Sequence, residues 1–148
     1  AVLMRYRFVD EIVSLELEPR ARIEVSKTFA PGDDALSGPA GPDRVPHSLI
    51  LELLTMAGGH LIFRHLGESR LPLLLKVREA CFDGSARPGL PLRATAELLG
   101  SSRAADGTVL AETSGAVYAG TEQIARGQLL YLCVSVPGVD LRAAAGAP

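Results

Sequence analysis

Between Pro46 and Gly59 the chain reads Pro-His-Ser-Leu-Ile-Leu-Glu-Leu-Leu-Thr-Met-Ala-Gly-Gly, and one carboxylate, Glu52, interrupts an otherwise almost wholly apolar stretch. A segment apolar on every side predicts a helix packed into a core rather than laid on a surface. Burying a carboxylate there is costly unless it is protonated, paired or hydrogen-bonded. Keeping one at the centre breaks a local rule, as working sites do. Two readings stand side by side: an acid kept for chemistry, and a carboxyl satisfied by nearby backbone or hydroxyl groups in a structural network.

The flanks define the helix and its surroundings. Pro46 suits a helix start, Ser48 offers a cap for the first turn and Gly67 suits the end, so the helix is expected from about Pro46 to Leu66. Upstream, Tyr6 to Leu17 reads as a short helical or irregular opening running into a strand. Arg20 to Phe29 sets Ala21, Ile23 and Val25 against Arg22, Glu24 and Ser26, the alternation of a half-buried strand. Ala30 to Pro46 is dense in Pro, Gly and Asp and predicts a loop, long enough to be a functional candidate. Four strand-like runs follow the helix: Leu71 to Phe82, Leu90 to Leu99, Val109 to Ala119 and Gln123 to Val136. Turn chemistry separates them at Arg87-Pro88-Gly89, Asp106-Gly107 and Ala119-Gly120-Thr121, so consecutive strands are expected to pair antiparallel.

A helix apolar all round, followed by four strands, is buried only if a curved sheet wraps it. This predicts the α+β hotdog fold, an antiparallel sheet around one long central helix. One domain is expected over residues 1–148, with an ordered core over about 5–137 and a flexible Ala/Gly-rich tail over 138–148. Open sheet edges favour side-by-side pairing into a homodimer or higher homo-oligomer.

Composition narrows the function. Aromatic content of 5% with no Trp argues against stacking platforms for single-stranded nucleic acid. The 15 basic and 17 acidic residues are well mixed, leaving no electrostatic footprint for nucleic acid or an anionic membrane. Cys81 and Cys133 lie far apart without a CxxC, which predicts free buried thiols in a reducing cytosol and no metal site. No apolar run reaches membrane-spanning length, and Ala1 to Met4 is too short for the apolar region of a signal peptide. Met4 is a candidate natural start, and a cytoplasmic location is the expectation.

Val45-Pro46-His47-Ser48-Leu49-Ile50-Leu51-Glu52-Leu53-Leu54 resembles the active-site helix of the beta-hydroxyacyl-acyl-carrier-protein dehydratases of fatty-acid synthesis. In that family an aliphatic run leads to a catalytic Glu or Asp, the position of Glu52. Tyr6-Arg7-Phe8-Val9-Asp10-Glu11-Ile12 resembles the family's opening motif, Leu73 to Phe82 the strand after the helix, and Arg87 to Leu92 the Pro-Gly turn that follows. The resemblance runs from about Tyr6 to Tyr131. It implies a (3R)-3-hydroxyacyl thioester dehydratase, a hydro-lyase of fatty-acid or polyketide-type biosynthesis, acting on or binding acyl thioesters of acyl carrier protein or coenzyme A. It implies no cofactor.

The sequence departs from this family at three site positions. The family's loop histidine falls on Gly38, a frequent glutamine on Met56, and the glycine whose backbone N–H is read as holding the thioester carbonyl on His47. Dehydration needs a base at the carbon beside the carbonyl and an acid for the departing hydroxyl, each typically contributing ~10²–10⁴ in rate. Three readings follow. His47 takes over as base beside Glu52, with His47, Ser48, Thr55, Met56 and Gly38 framing the substrate. Alternatively, Glu52 activates water or attacks directly in thioester hydrolysis, with helix N-terminal amides at the developing oxyanion. Third, the chain is a non-catalytic homologue serving as a partner subunit.

Lesser features complete the reading. His60 is expected to be a core or interface histidine, and His65 to suit the helix dipole near its end. Thr55, one turn after Glu52, is placed to hydrogen-bond it. Gly58-Gly59 permits close helix–sheet approach or leaves room for an acyl chain. Arg64, Arg70, Lys76, Arg78, Arg87 and Arg93 are candidates for a basic rim facing an acidic carrier, with a solvated surface as the default.

Overall fold

The computed structural model describes residues 8–33, 36 and 43–145. Strands β1 (Glu11–Glu16) and β2 (Arg22–Thr28) precede helix α1 (His47–His65), which is followed by β3 (Leu71–Phe82), β4 (Pro91–Arg103), β5 (Val109–Ala119) and β6 (Glu122–Val134). All strand pairs are antiparallel, in one six-stranded sheet of order β1-β2-β4-β5-β6-β3. A short helix, α2 (Leu141–Ala145), closes the described chain. The helix packs against β2, β3, β4, β5 and β6, so the sheet folds around it as expected.

One consecutive pair departs from the expectation. β3 and β4 do not pair; β3 lies outside β6, because β2 and β5 occupy both edges of β4. The link between them crosses near the start of α1 and is held by backbone bonds to three other segments. Asp83 N–H donates to Ile124 O at 2.9 Å, Val45 N–H to Ala86 O at 2.9 Å and Gly89 N–H to Phe29 O at 2.7 Å.

The alternation in β2 holds, with Ala21, Ile23 and Val25 all buried. Lys27 continues the inward row and is buried too. It pairs with Asp10 at 3.1 Å and lies 5.5 Å above the Phe29 ring. Asp10 also accepts the Thr28 N–H at 2.7 Å, tying the start of β1 to the end of β2. A buried cation needs such a partner. After β6, Arg142 donates to Gly67 O at 3.0 Å, which places α2 beside the end of α1.

The helix meets the sheet through Ile50, Leu53, Leu54, Ala57, Gly58, Leu61 and Ile62, the i, i+3, i+4 rows of one broad face. Gly115 and Gly127 are cross-strand partners on β5 and β6, and both lie under Leu54. A Cβ on Gly127 would stand 2.9 Å from Glu79 O and 3.1 Å from Leu54 Cδ2, and one on Gly115 would run into Thr95 O and Leu54 Cδ1. On the helix side, a Cβ at Gly58 would strike the Tyr131 hydroxyl. These glycines let α1 sit close on the sheet.

The opposite face of α1 is not buried. Ser48 is exposed, while Glu52, Thr55, Met56, Gly59, His60 and Phe63 are half-buried. The expectation of a helix enclosed on all sides is corrected here: the sheet covers one side, and no described element lies over the other. Overpacking a close contact typically costs about 1–3 kcal/mol. Gly115→Ala and Gly127→Ala are each expected to lose stability of that order in urea denaturation. Gly100→Ala, with nothing within 4 Å of the added Cβ, should change it little.

Candidate functional site

The first turn of α1 carries backbone donors that the helix itself does not use. Its N-cap is Pro46, which has no N–H, and no side chain caps the turn, so the proposed Ser48 cap does not form. Leu49 and Ile50 N–H both turn back to Pro46 O, leaving the His47 and Ser48 N–H groups without an intrahelical acceptor. These groups sit at the positive end of the helix dipole, where developing negative charge is stabilised.

Glu52 is four residues beyond Ser48, on the same face, about 6 Å along the axis. Helical side chains lean toward the N-terminus, the direction in which those amides lie from Glu52. Among the described residues it makes no hydrogen bond and no ion pair. Thr55 does not reach it; its hydroxyl donates to Leu51 O at 2.9 Å. The structural reading of Glu52, a carboxyl saturated by neighbours, thus finds no partner among the described residues. Partial exposure removes the cost of burial that the sequence implied.

Behind this face stands Tyr131, buried on β6, whose hydroxyl donates to Thr55 O at 2.7 Å and takes a hydrogen bond from Thr113. Burial pushes the phenol far above its usual value; the Thr113 bond opposes this and the charge of Glu52 adds to it. Glu52 and Tyr131 therefore share one electrostatic environment.

His47 is placed elsewhere. Its ring stacks on Phe82 at the end of β3, centroids 4.4 Å apart and planes 5° from parallel. At 100° per residue its position lies about 140° around the helix from Glu52, so the two do not share a face. The stack pins the start of α1 to β3. Gly38 lies outside the described residues. Met56 does lie with Glu52, one turn further along the open face.

From Thr55 onward the open face borders a cavity of about 170 Å³. The helix contributes Thr55, Met56, Gly59, His60 and Phe63; β3 contributes Leu71, Pro72 and Leu74; Tyr131 closes the back. Larger clefts lie away from the carboxylate. One of about 640 Å³ on the outer sheet face is lined by Glu16, Arg22, Glu24 and Glu97, and Arg22 there pairs with Glu16 at 2.8 Å. Another, of about 700 Å³, is bordered by Asp43, Arg44, Ser85 and Arg87 near the segment entering α1. Among the described residues no three His, Cys, Asp or Glu side chains converge.

The basic rim expected from the sequence is dispersed. Arg64 pairs with Glu68 at 2.7 Å, Arg78 with Glu112 at 2.8 Å and Arg93 with Glu24 at 3.5 Å, while Arg70 reaches Cys133 O at 3.4 Å. Arg44, which sequence reasoning passed over, joins Arg87 at the polar cleft; only the crossing link after β3 brings them together. Leu71, Leu74 and Tyr131 were also missed as site residues, since nothing local in β3 or β6 shows which helix face they meet.

No protein-family model matches the sequence, and no curated protein matches it. Solved structures do share its fold. A candidate thioesterase from Lactococcus lactis superposes with a TM-score of 0.70 at 8% identity, over 86% of this chain and 94% of that one. A candidate thioesterase from Ralstonia eutropha, related to phenylacetic acid degradation, gives 0.67 at 18% identity over 82% and 83%. A fluoroacetyl-CoA-specific thioesterase, bound to fluoroacetate and CoA, gives 0.64 at 15% identity over 78% and 93%. The fold is the hotdog.

His60, on the cavity wall, is held below its usual imidazole value, mainly by burial and secondly by the positive charge of Arg64. Its folded state binds the proton less readily than the unfolded state, so stability should fall as pH drops below about 6.5 and level off once the folded imidazole is also charged. Thermal melts across that range are expected to show this slope in the native protein and a flatter one in His60→Gln.

Proposed function

We propose that this protein hydrolyses acyl thioesters, with Glu52 as the base. The observation that carries this is Glu52 on the open face of α1, with no hydrogen bond or ion pair among the described residues, four residues after Ser48 at the uncapped helix start and one turn before an apolar cavity that begins at Thr55. Water bound between Glu52 and the thioester carbon gives a proton to the carboxylate as its oxygen bonds to that carbon. The His47 and Ser48 N–H groups hold the oxyanion. Collapse of the intermediate breaks the C–S bond, and the thiolate takes the proton from Glu52, leaving a carboxylic acid and a free thiol. Direct attack by Glu52, through an anhydride that water then opens, gives the same products.

Hydrolysis is favoured over dehydration because it needs one acid–base group at the reacting carbon. Dehydration needs two, and His47 is turned onto Phe82. The similarity to structures of thioesterases, one with bound CoA, supports the same choice. The carrier is anionic in either form, acyl carrier protein or coenzyme A. Arg44 and Arg87, which make no ion pair among the described residues, line the cleft where its phosphates would enter.

The working unit is a homodimer in this proposal. β3 is an edge strand, and Leu71, Leu73, Leu74 and Leu75 on it are 39%, 45%, 41% and 55% exposed. A second copy pairing along β3 would cover these leucines and the open side of the α1 cavity. The other edge, β1, is shorter and carries Glu11 and Glu16.

Glu52→Gln is expected to lower thiol release from acyl thioesters by about 10²-fold or more while leaving the melting temperature nearly unchanged, since no intramolecular bond is lost. Unaltered turnover in that variant would remove Glu52 from the chemistry. The double variant Leu73→Glu with Leu75→Glu is expected to run as a monomer in light scattering at concentrations where the native chain is dimeric.

A further inference from the structure

The paired glycines of α1 do different things. A Cβ on Gly58 would stand 2.9 Å from Thr113 Oγ1 and clash with Tyr131, so packing requires that glycine. Among the described residues a Cβ on Gly59 would meet only Pro72 Cγ and Tyr131 Cε1, both at 4.0 Å. That is ordinary van der Waals contact. Alanine there would improve helix propensity without a steric penalty. Neither packing nor backbone conformation accounts for Gly59; what its missing side chain preserves is the cavity beside it.

We propose that the cavity between α1 and β3 receives the acyl arm of the thioester, and that Gly59 sets how long an arm it accepts. This rests on the thioester reading of the Glu52 site and goes beyond it by assigning the acyl class. The wall is formed by Met56, Phe63, Leu71, Leu74 and the Tyr131 ring, and its volume is about 170 Å³. An apolar cavity of ~150 Å³ holds benzene, so the arm that fits is an uncharged chain of about six carbons or a single phenyl ring. The wall is mostly apolar, and burial, then the charge of Arg64, lowers the proton affinity of His60, which disfavours an ω-carboxylated arm there. Glu52 lies one turn before the cavity starts, which puts the carbonyl carbon at the carboxylate and the arm along the helix toward Phe63.

The test compares acyl-coenzyme A thioesters bearing two-, six- and twelve-carbon arms and a phenylacyl arm. It uses the native protein, Gly59→Ala and Gly59→Leu, each checked by thermal melting. The native protein should prefer the six-carbon and phenyl arms over the two-carbon arm by about tenfold or more in kcat/KM. Gly59→Leu should reduce that ratio by about 10–200-fold, with Gly59→Ala between them. A ratio that Gly59→Leu leaves unchanged overturns the assignment, even if Glu52→Gln shows that hydrolysis itself is correct. Should no thioester be hydrolysed, calorimetric binding of the same compounds to the native protein and Gly59→Leu decides the cavity separately. A length preference lost in Gly59→Leu supports it, and equal binding of all arms overturns it. A flat profile with a changed oligomeric state in Gly59→Leu would show that a second copy fills the space, which also overturns the proposal.

Discussion

The seating of α1 on the sheet governs the rest of the molecule. Leu54 drops over two glycines that face each other across β5 and β6, and Gly58 admits the Tyr131 hydroxyl against the helix backbone. Each missing Cβ brings the helix nearer to the strands than ordinary side chains allow. With that depth fixed, the Tyr131 hydroxyl reaches Thr55 O, the sheet buries one helix face completely, and Glu52 is turned to the other.

This arrangement resolves the apparent expense of an acid in an apolar helix. Glu52 is only half-buried, and among the described residues it has no hydrogen-bond or ion-pair partner, so the proposal leaves it available to a substrate. The apolar neighbours Met56 and Phe63 lie on the open face with it, half-buried along the cavity beside β3. The cover supplied in the proposed dimer would exclude water from the cavity and strengthen the pull of the helix amides on a developing oxyanion.

The chemistry follows from what stands near the carboxylate. A dehydratase built on this helix requires a partner base, and the helix histidine nearest in sequence is stacked on Phe82. Hydrolysis asks less: a carboxylate, two N–H donors and water. The same fold carries either reaction, so the residues around Glu52 decide between them rather than the architecture.

Much of the fold was legible in the residues themselves. Helix and strand periods, with turn residues between them, marked α1, β2, β3, β5 and β6 to within a few residues, because local propensity and one-sided burial agree there. The position of Glu52 in the helix was equally plain. Pairing partners were not: the turn residues after β3 point to pairing with β4, yet β3 lies beside β6 because both edges of β4 are taken. The burial of Lys27 was not legible either, since its counter-charge Asp10 lies seventeen residues away in the chain. Which face of α1 stays open, what Gly59 borders and where His47 points depend on contacts between segments far apart in the chain. Periodicity records whether a side chain is apolar; only the tertiary structure decides what, if anything, stands opposite it.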